Sequence, residues 1–165
     1  MRITHFLFTA ALLALLGGLP QAALADDGAL KVTSIAQTEI EVTDKNGKKT
    51  RQRVPVTKVI PGTEVIYTTT FENTAKKAAD NIDINNPIPN DSEYVGGSAF
   101  GKDCEILFSV DGGKTFGHAE QLKIKDAEGK ERTAQPREYT NIRWKYKAKL
   151  APGNVGEVGF RTQVK

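Results

Sequence analysis

Cysteine, histidine, tryptophan and methionine are nearly absent: one Cys, one Trp, one Met and two His in 165 residues. A single thiol, Cys104, cannot close an intramolecular disulfide, so stability must come from a packed core even in an oxidising compartment. His5 falls in an apolar N-terminal leader, which leaves His118 alone. A two-histidine metal site is thereby excluded, and no cysteine cluster replaces it. No Gly-x-Ser-x-Gly elbow supports a Ser-His-Asp hydrolase built on His118, so this residue reads as a solvated turn histidine. No glycine-rich phosphate loop leads into a helix. Most acids fall in turns, so no pair of carboxylates converges in an evident cleft. Asp80, Asp83, Asn85 and Asp91 are oxygen-rich, but their spacing matches no calcium loop, and Asp and Asn favour turns on other grounds. Neither a metal nor a cofactor is expected, and the chain does not read as an enzyme.

What is present begins with the leader. Met1-Arg2 is a short basic start, residues 6–16 are an apolar run, and Ala23-Leu24-Ala25 precedes Asp26-Asp27. This is the pattern of a secretory signal peptide over residues 1–25, too short in its apolar part to span a bilayer comfortably. Residues 26–165 are expected to form a single exported domain, periplasmic or extracellular, without a transmembrane segment. No Cys follows the cleavage site, so no bacterial lipid anchor is indicated. The exported part holds 22 Lys and Arg against 20 Asp and Glu, a balance that by itself implies neither nucleic acid nor membrane.

The chain is organised around residues 61–100. Pro61-Gly62 launches a strand in which Val65, Tyr67, Thr69 and Phe71 point one way and Ile66, Thr68 and Thr70 the other, the period-two pattern of a strand with one buried face. Glu72-Asn73-Thr74 ends it. A polar crossing follows, then a short strand over 81–85, stopped by Pro87 and Pro89. Upstream, residues 29–36 and 39–43 read as extended, and Asp44-Lys45-Asn46-Gly47 turns the chain into a return over 50–59. Downstream, 92–100 is a weak strand interrupted at Gly96-Gly97, and 104–110 is a clear one. A short strand is expected at 120–125, and 126–138 reads as a charged loop. Strong strands are expected at 139–150 and 155–164. Some eight to ten strands separated by Gly, Pro and Asn, with no convincing helix, predict an all-β, antiparallel, immunoglobulin-like sandwich. Trp144, sharing a face with Ile142, Tyr146, Ala148 and Leu150, is the expected core anchor. Cys104 alternates with Ile106, Phe108 and Val110 and is expected to face inward as an inert thiol. The alternatives are a reactive thiol or an intermolecular bridge.

Pro61-Gly62, Val65, Tyr67, Phe71, Asn73, Asn81, Ile82, Ile84 and Pro89 follow a pattern of Pro-Gly, a Val-x-Tyr-x-x-x-Phe-x-Asn strand, a polar crossing and Asn-hydrophobic-x-hydrophobic before Pro. With Tyr139-Thr140-Asn141-Ile142-Arg143-Trp144, Ala151-Pro152-Gly153 and the strand through Phe160, this resembles the conserved-repeat domain of bacterial envelope and surface proteins, a family known only as domain of unknown function number eleven. The resemblance covers residues 57–165 in pieces. It implies an immunoglobulin-like sandwich with a structural or protein-interaction role, an envelope or surface protein being the expected partner. Asn86 stands where the family commonly has Asp, which argues against a metal-binding corner there. An intramolecular Lys–Asn isopeptide bond from Lys31 is not expected, because residues 156–165 contain no Asn.

Three surfaces carry functional expectations. Ser109, Asp111, Gly113, Thr115 and Phe116 fit the Asp-box turn pattern, which resembles the turn repeated in sialidases; its expected chemistry is structural, with the Asp carboxylate accepting backbone N–H groups. Arg143, Lys145, Lys147 and Lys149 share one strand face over about 20 Å. Such a row would track an anionic polysaccharide, lipopolysaccharide phosphates or an acidic protein, or else be an ordinary solvated face. Nucleic acid is not expected, since exposed aromatics are not interleaved with it. Finally, Lys45, Lys48, Lys49, Arg51 and Arg53 crowd the expected hairpin, either as a solvated projection or as a contact for an acidic partner.

Overall fold

The structure, a computed structural model, describes residues 30–165. The expected signal peptide lies outside the described residues. The strands are β1 (Leu30–Thr43), β2 (Lys49–Pro55), β3 (Glu64–Asn73), β4 (Ile82–Pro87), β5 (Ser92–Tyr94), β6 (Phe100–Gly101), β7 (Cys104–Ser109), β8 (Lys123–Lys125), β9 (Glu131–Thr133), β10 (Asn141–Tyr146) and β11 (Val155–Val164). All their pairings are antiparallel. The larger sheet runs β2-β1-β3-β11-β5, with β6 also on β11; the second runs β4-β10-β7, and β8-β9 is a separate hairpin. Only two short 3-10 turns, at Ala119–Gln121 and Pro136–Glu138, interrupt the all-β chain among the described residues.

The turns form for local reasons. Asp44 caps the β1–β2 turn by accepting the Asn46 and Lys48 amides at 2.8 and 2.9 Å, and Gly47 takes the left-handed φ of +81° that the turn needs. Gly62, at φ +87°, does the same ahead of β3.

The core lies between the two sheets. Trp144 and Ile142 of β10, with no exposed surface, meet Phe71 of β3 and Val158 and Phe160 of β11. The Trp144 and Phe160 rings are 6.0 Å apart, and Phe71 meets Tyr146 edge-on at 5.5 Å. Each such aliphatic or aromatic side chain contributes on the order of 1.5–3 kcal/mol by leaving water. The fit is close enough to specify glycine: a Cβ on Gly156 would stand 2.1 Å from the Phe71 ring.

Where β3 ends, Asn73 is buried. Its Nδ2 donates to the Lys77 carbonyl at 2.8 Å and the Leu150 carbonyl at 2.7 Å, while its Oδ1 accepts the Ala75 amide at 3.0 Å. One amide therefore joins the end of the larger sheet, the polar crossing and the chain leaving β10.

Four expectations need correction. β3 is buried on both faces, not one: Ile66 and Thr68 are 1 % and 5 % exposed. Their face is covered because Phe100 lies across Gly159, which pairs with Thr68, and because Arg161, opposite Ile66, reaches over to Glu39 and Glu64. The weak strand at 92–100 is interrupted at Gly97, at φ +75°, as expected, but its pieces are shorter, β5 ending at Tyr94 and β6 covering only Phe100–Gly101. The expected strand at 139–150 is only β10, since Pro136–Glu138 turns before it and beyond Tyr146 only the Lys147 amide, on the Asp103 carbonyl, carries the β7 register one residue further. Residues 126–138 are no loop: Asp126 accepts the Glu128 and Lys130 amides and folds β9 back on β8. Trp144 is fully buried as expected, and Cys104 faces the core but is only partly covered.

Both tight features are testable by urea unfolding. Asn73→Ala strands two carbonyls and an amide and lowers stability by about 2–3 kcal/mol. Gly156→Ala drives a methyl into Phe71 and costs about 1–3 kcal/mol. Unchanged midpoints would contradict these assignments.

Candidate functional site

The basic row is laid out on the outward face of the second sheet, but in company. Arg143 and Lys145 lie within β10; Lys147 and Lys149 follow its end. Arg143 donates through Nε to Asn85 Oδ1 of β4 at 2.6 Å, and its guanidinium stacks 3.8 Å above the Phe116 ring. Lys145 has Asp83 opposite it on β4 and Glu105 opposite it on β7. Lys147 forms an ion pair with Glu105, which His118 Nε2 also approaches at 3.3 Å. Lys147, hydrogen-bonded to it, is the main reason the Glu105 carboxyl is held below the usual range. Arg143, Lys145 and Lys147 thus share a face with two carboxylates, and Lys149 stands apart beyond the strand.

The turn after β7 is built as its residue pattern predicts. Ser109 is fully buried; its Oγ donates to Asp111 Oδ1 at 2.7 Å and accepts the Gly113 amide at 3.0 Å. Asp111 accepts the Lys114 and Thr115 amides at 3.0 Å each and the Thr115 hydroxyl at 2.6 Å. Gly112 and Gly113, at φ +75° and +82°, allow the tight reversal. The turn delivers Phe116 to Arg143, so two expected sites meet at one contact.

The feature that stands out is the arm formed by β1 and β2. β3 pairs with β1 only from Leu30 to Gln37; from Thr38 to Thr43 the strand has β2 on one side and no strand on the other among the described residues. On one face Glu41 binds Lys49 at 2.6 Å, while Glu39 lies 3.5 Å from Arg53, 3.9 Å from Arg51 and 2.9 Å from Arg161. Arg161, ahead of Arg53, holds the Glu39 carboxyl below its usual range. On the other face Ile40 and Val42 are 43 % and 37 % exposed, and Val32, further down the same face, is 51 % exposed. The Glu39-Ile40-Glu41-Val42 alternation is visible in the sequence, but the missing cover over its apolar side is a tertiary fact that periodicity does not carry.

Two of the surface depressions bear on possible chemistry. One, about 440 Å³, is lined by Asp103, Cys104, Glu105, Lys147 and Ala148. Burial first, and Asp103 second, push the Cys104 thiol up, opposite to what a nucleophile needs. The other, about 270 Å³, is apolar; in it the rings of Tyr94, Phe108 and Tyr139 stack, with Phe108 and Tyr139 at 4.7 Å. Among the described residues no group of three or more His, Cys, Asp or Glu is placed to hold a metal, and no helix is long and apolar enough to cross a membrane.

No protein-family model, curated protein or solved structure matches the chain.

Asp111 gives a pH test. Its partners, the Thr115 hydroxyl foremost, hold its carboxyl far below the ordinary 3.8. A depressed acid contributes stability that is complete above its unfolded pKa and is lost only as pH falls toward its folded value. The side-chain carboxyl resonance of Asp111 is therefore expected to stay unchanged from about pH 5 to about pH 3. A midpoint near 3.8 would show that the turn does not hold it.

Proposed function

We propose that the chain is an exported, non-catalytic module of the bacterial cell envelope or extracellular space, an immunoglobulin-like sandwich that engages a partner protein through the β1–β2 arm. The observation that carries this reading is the arm itself: a two-stranded ribbon reaching past β3, with Ile40 and Val42 exposed on one face and the outer edge of β2 without a strand partner among the described residues. An apolar face beside an open sheet edge is the equipment for strand addition, in which main-chain bonds give affinity and alternate side chains give specificity. The leader pattern of residues 1–25 supports export, and the resemblance to the envelope conserved-repeat domain supports the compartment.

The carboxylates held below their usual range support a non-catalytic role, since each is explained by structure: Asp111 by its turn, Glu138 by Arg132 and the Gln135 amide, Glu39 and Glu105 by their ion pairs. Binding of an anionic glycan or lipopolysaccharide by the row Arg143, Lys145, Lys147 and Lys149 ranks second, because Asp83 and Glu105 lie among those cations and weaken their joint field.

The test is retention of purified protein on cell-envelope fractions as salt is raised. Ile40→Ser/Val42→Ser is expected to reduce retention at least about tenfold, while Lys145→Glu/Lys147→Glu leaves it within about twofold. The opposite ranking, with wild-type binding released by salt, would transfer the function to the basic row.

A further inference from the structure

The outer edge of β2 has a backbone pattern and a charge pattern that coincide. The Asp44 amide donates to the Lys48 carbonyl at 2.9 Å, which makes Asp44–Lys48 a hydrogen-bonded pair. Bonded and non-bonded pairs alternate in an antiparallel ladder. With the register Val42–Thr50, Ile40–Gln52 and Thr38–Val54, those three pairs are the bonded ones, and the Val56 amide on the Ala36 carbonyl at 3.1 Å closes the same series. Thr50, Gln52 and Val54 therefore spend their amides on β1. Lys49, Arg51 and Arg53 turn theirs outward, where no strand lies among the described residues.

The residues with free backbone groups are thus the three basic ones. Their side chains share the face of Glu39 and Glu41, and the two acids only partly neutralise the three cations. Glu39 is shared among Arg51, Arg53 and Arg161, the last of which also pairs with Glu64, and Arg51, its side chain 82 % exposed and 3.9 Å away, makes no side-chain hydrogen bond among the described residues. The arm, residues 38–55, holds five Lys and Arg against three acids, an excess of two that equals the 22 against 20 of residues 26–165. The net positive charge of the molecule is concentrated on this arm. The opposite face offers Thr50, Gln52 and Val54 beside Ile40 and Val42.

We propose that the outer edge of β2 takes an extended segment of a partner protein, laid antiparallel, with Asp or Glu at every second residue facing Lys49, Arg51 and Arg53 and apolar residues between them continuing the Ile40–Val42 face. This rests on the arm being the binding surface and names the chemistry of what binds there. Main-chain bonds to Arg51 and Arg53 supply the docking, and opposite charges directly across the ladder supply the choice of partner. A second copy of the chain is a poor occupant. Antiparallel pairing of β2 with β2 centred on Arg51 sets Arg51 against Arg51 and Lys49 against Arg53, like charges directly opposite.

The purified protein is mixed with a nine-residue capped peptide of alternating glutamate and valine, with the same peptide carrying lysine for glutamate, and with the glutamate peptide N-methylated at alternate amides. The glutamate peptide is expected to bind at least about tenfold more tightly than either control. On binding, amide exchange at Arg51 and Arg53 slows at least about tenfold, while Gln52 and Val54, already bonded to β1, change little. The variant Arg51→Glu removes only the 3.9 Å contact with Glu39 and leaves the Lys49–Glu41 pair in place, and it is expected to lose at least about tenfold for the glutamate peptide. Equal binding of the N-methylated peptide, or no protection at Arg51 and Arg53, would overturn strand addition and leave only charge attraction. If envelope retention depends on Ile40 and Val42 but the glutamate peptide does not bind, the arm remains the binding surface and the partner chemistry proposed here is wrong. If the peptide binds with protection and envelope fractions retain nothing, the edge chemistry stands and the envelope reading falls.

Discussion

The buried amide of Asn73 is the joint on which the two sheets depend. β3 ends there, and the polar crossing to β4 begins within two residues. A buried side-chain amide must find its partners inside the protein or cost on the order of 1–3 kcal/mol for each one missing. Asn73 finds them in the crossing and at Leu150, beyond the end of β10. Its own backbone is engaged as well: its amide donates to Asn154 and its carbonyl accepts from Gly153, the turn that opens β11. Three segments from separate parts of the chain are thereby fixed at one end of the core. With that end fixed, Phe71 lies over Gly156 and Trp144 faces Phe160, and the register of the central strands follows.

The opposite end of the larger sheet has no such joint, and there the molecule is open. β1 is longer than its pairing with β3, so its second half relies on β2 alone. A two-stranded ribbon without a covered face is marginal in water. Here it is braced at its base by Arg161, which ties Glu39 of β1 to Glu64 of β3, and at its tip by the Asp44 turn. Both braces are polar and leave the apolar side of the ribbon bare. The core supplies the rigidity, and the arm supplies surface held at a defined angle to it.

Much of this was legible in the sequence, and the parts that were not share a cause. Alternation in Val65–Phe71, the Asp-Lys-Asn-Gly turn and the Ser109–Phe116 pattern are local, and the hairpin and turn chemistry followed from them. The burial of Ile66 and Thr68 was hidden, because the cover comes from Phe100 and Arg161, some 30 and 95 residues further along. The β8–β9 hairpin was hidden because its three-residue strands, Lys-Ile-Lys and Glu-Arg-Thr, are too short and charged to show a period. The row at Arg143 to Lys149 was read correctly as one face up to Lys147, but its charge balance depends on Asp83 and Glu105 arriving from neighbouring strands. Periodicity assigns a residue to a face; it does not say what the next strand brings to that face. The same limit applied to the arm, whose hairpin was expected and whose bare apolar side was not.

Edge strands carrying Lys and Arg are commonly understood as protection against association. On β2 the protection is selective. The cations that repel a second β2 sit on the residues whose amides and carbonyls are unpaired, so the barrier applies to positive strands and to no others. A strand with acids in alternation meets opposite charges at Lys49, Arg51 and Arg53, finds a ladder ready to continue and extends the sheet face that carries Ile40 and Val42. Removing the cations would thus open the edge to self-pairing while weakening the attraction for an acidic segment, so the charge pattern decides which strand the edge accepts rather than whether it accepts one. That combination distinguishes the arm from the Arg143–Lys149 row, where Arg143 and Lys145 lie in the central strand β10 between β4 and β7 and Asp83 and Glu105 already stand among the cations.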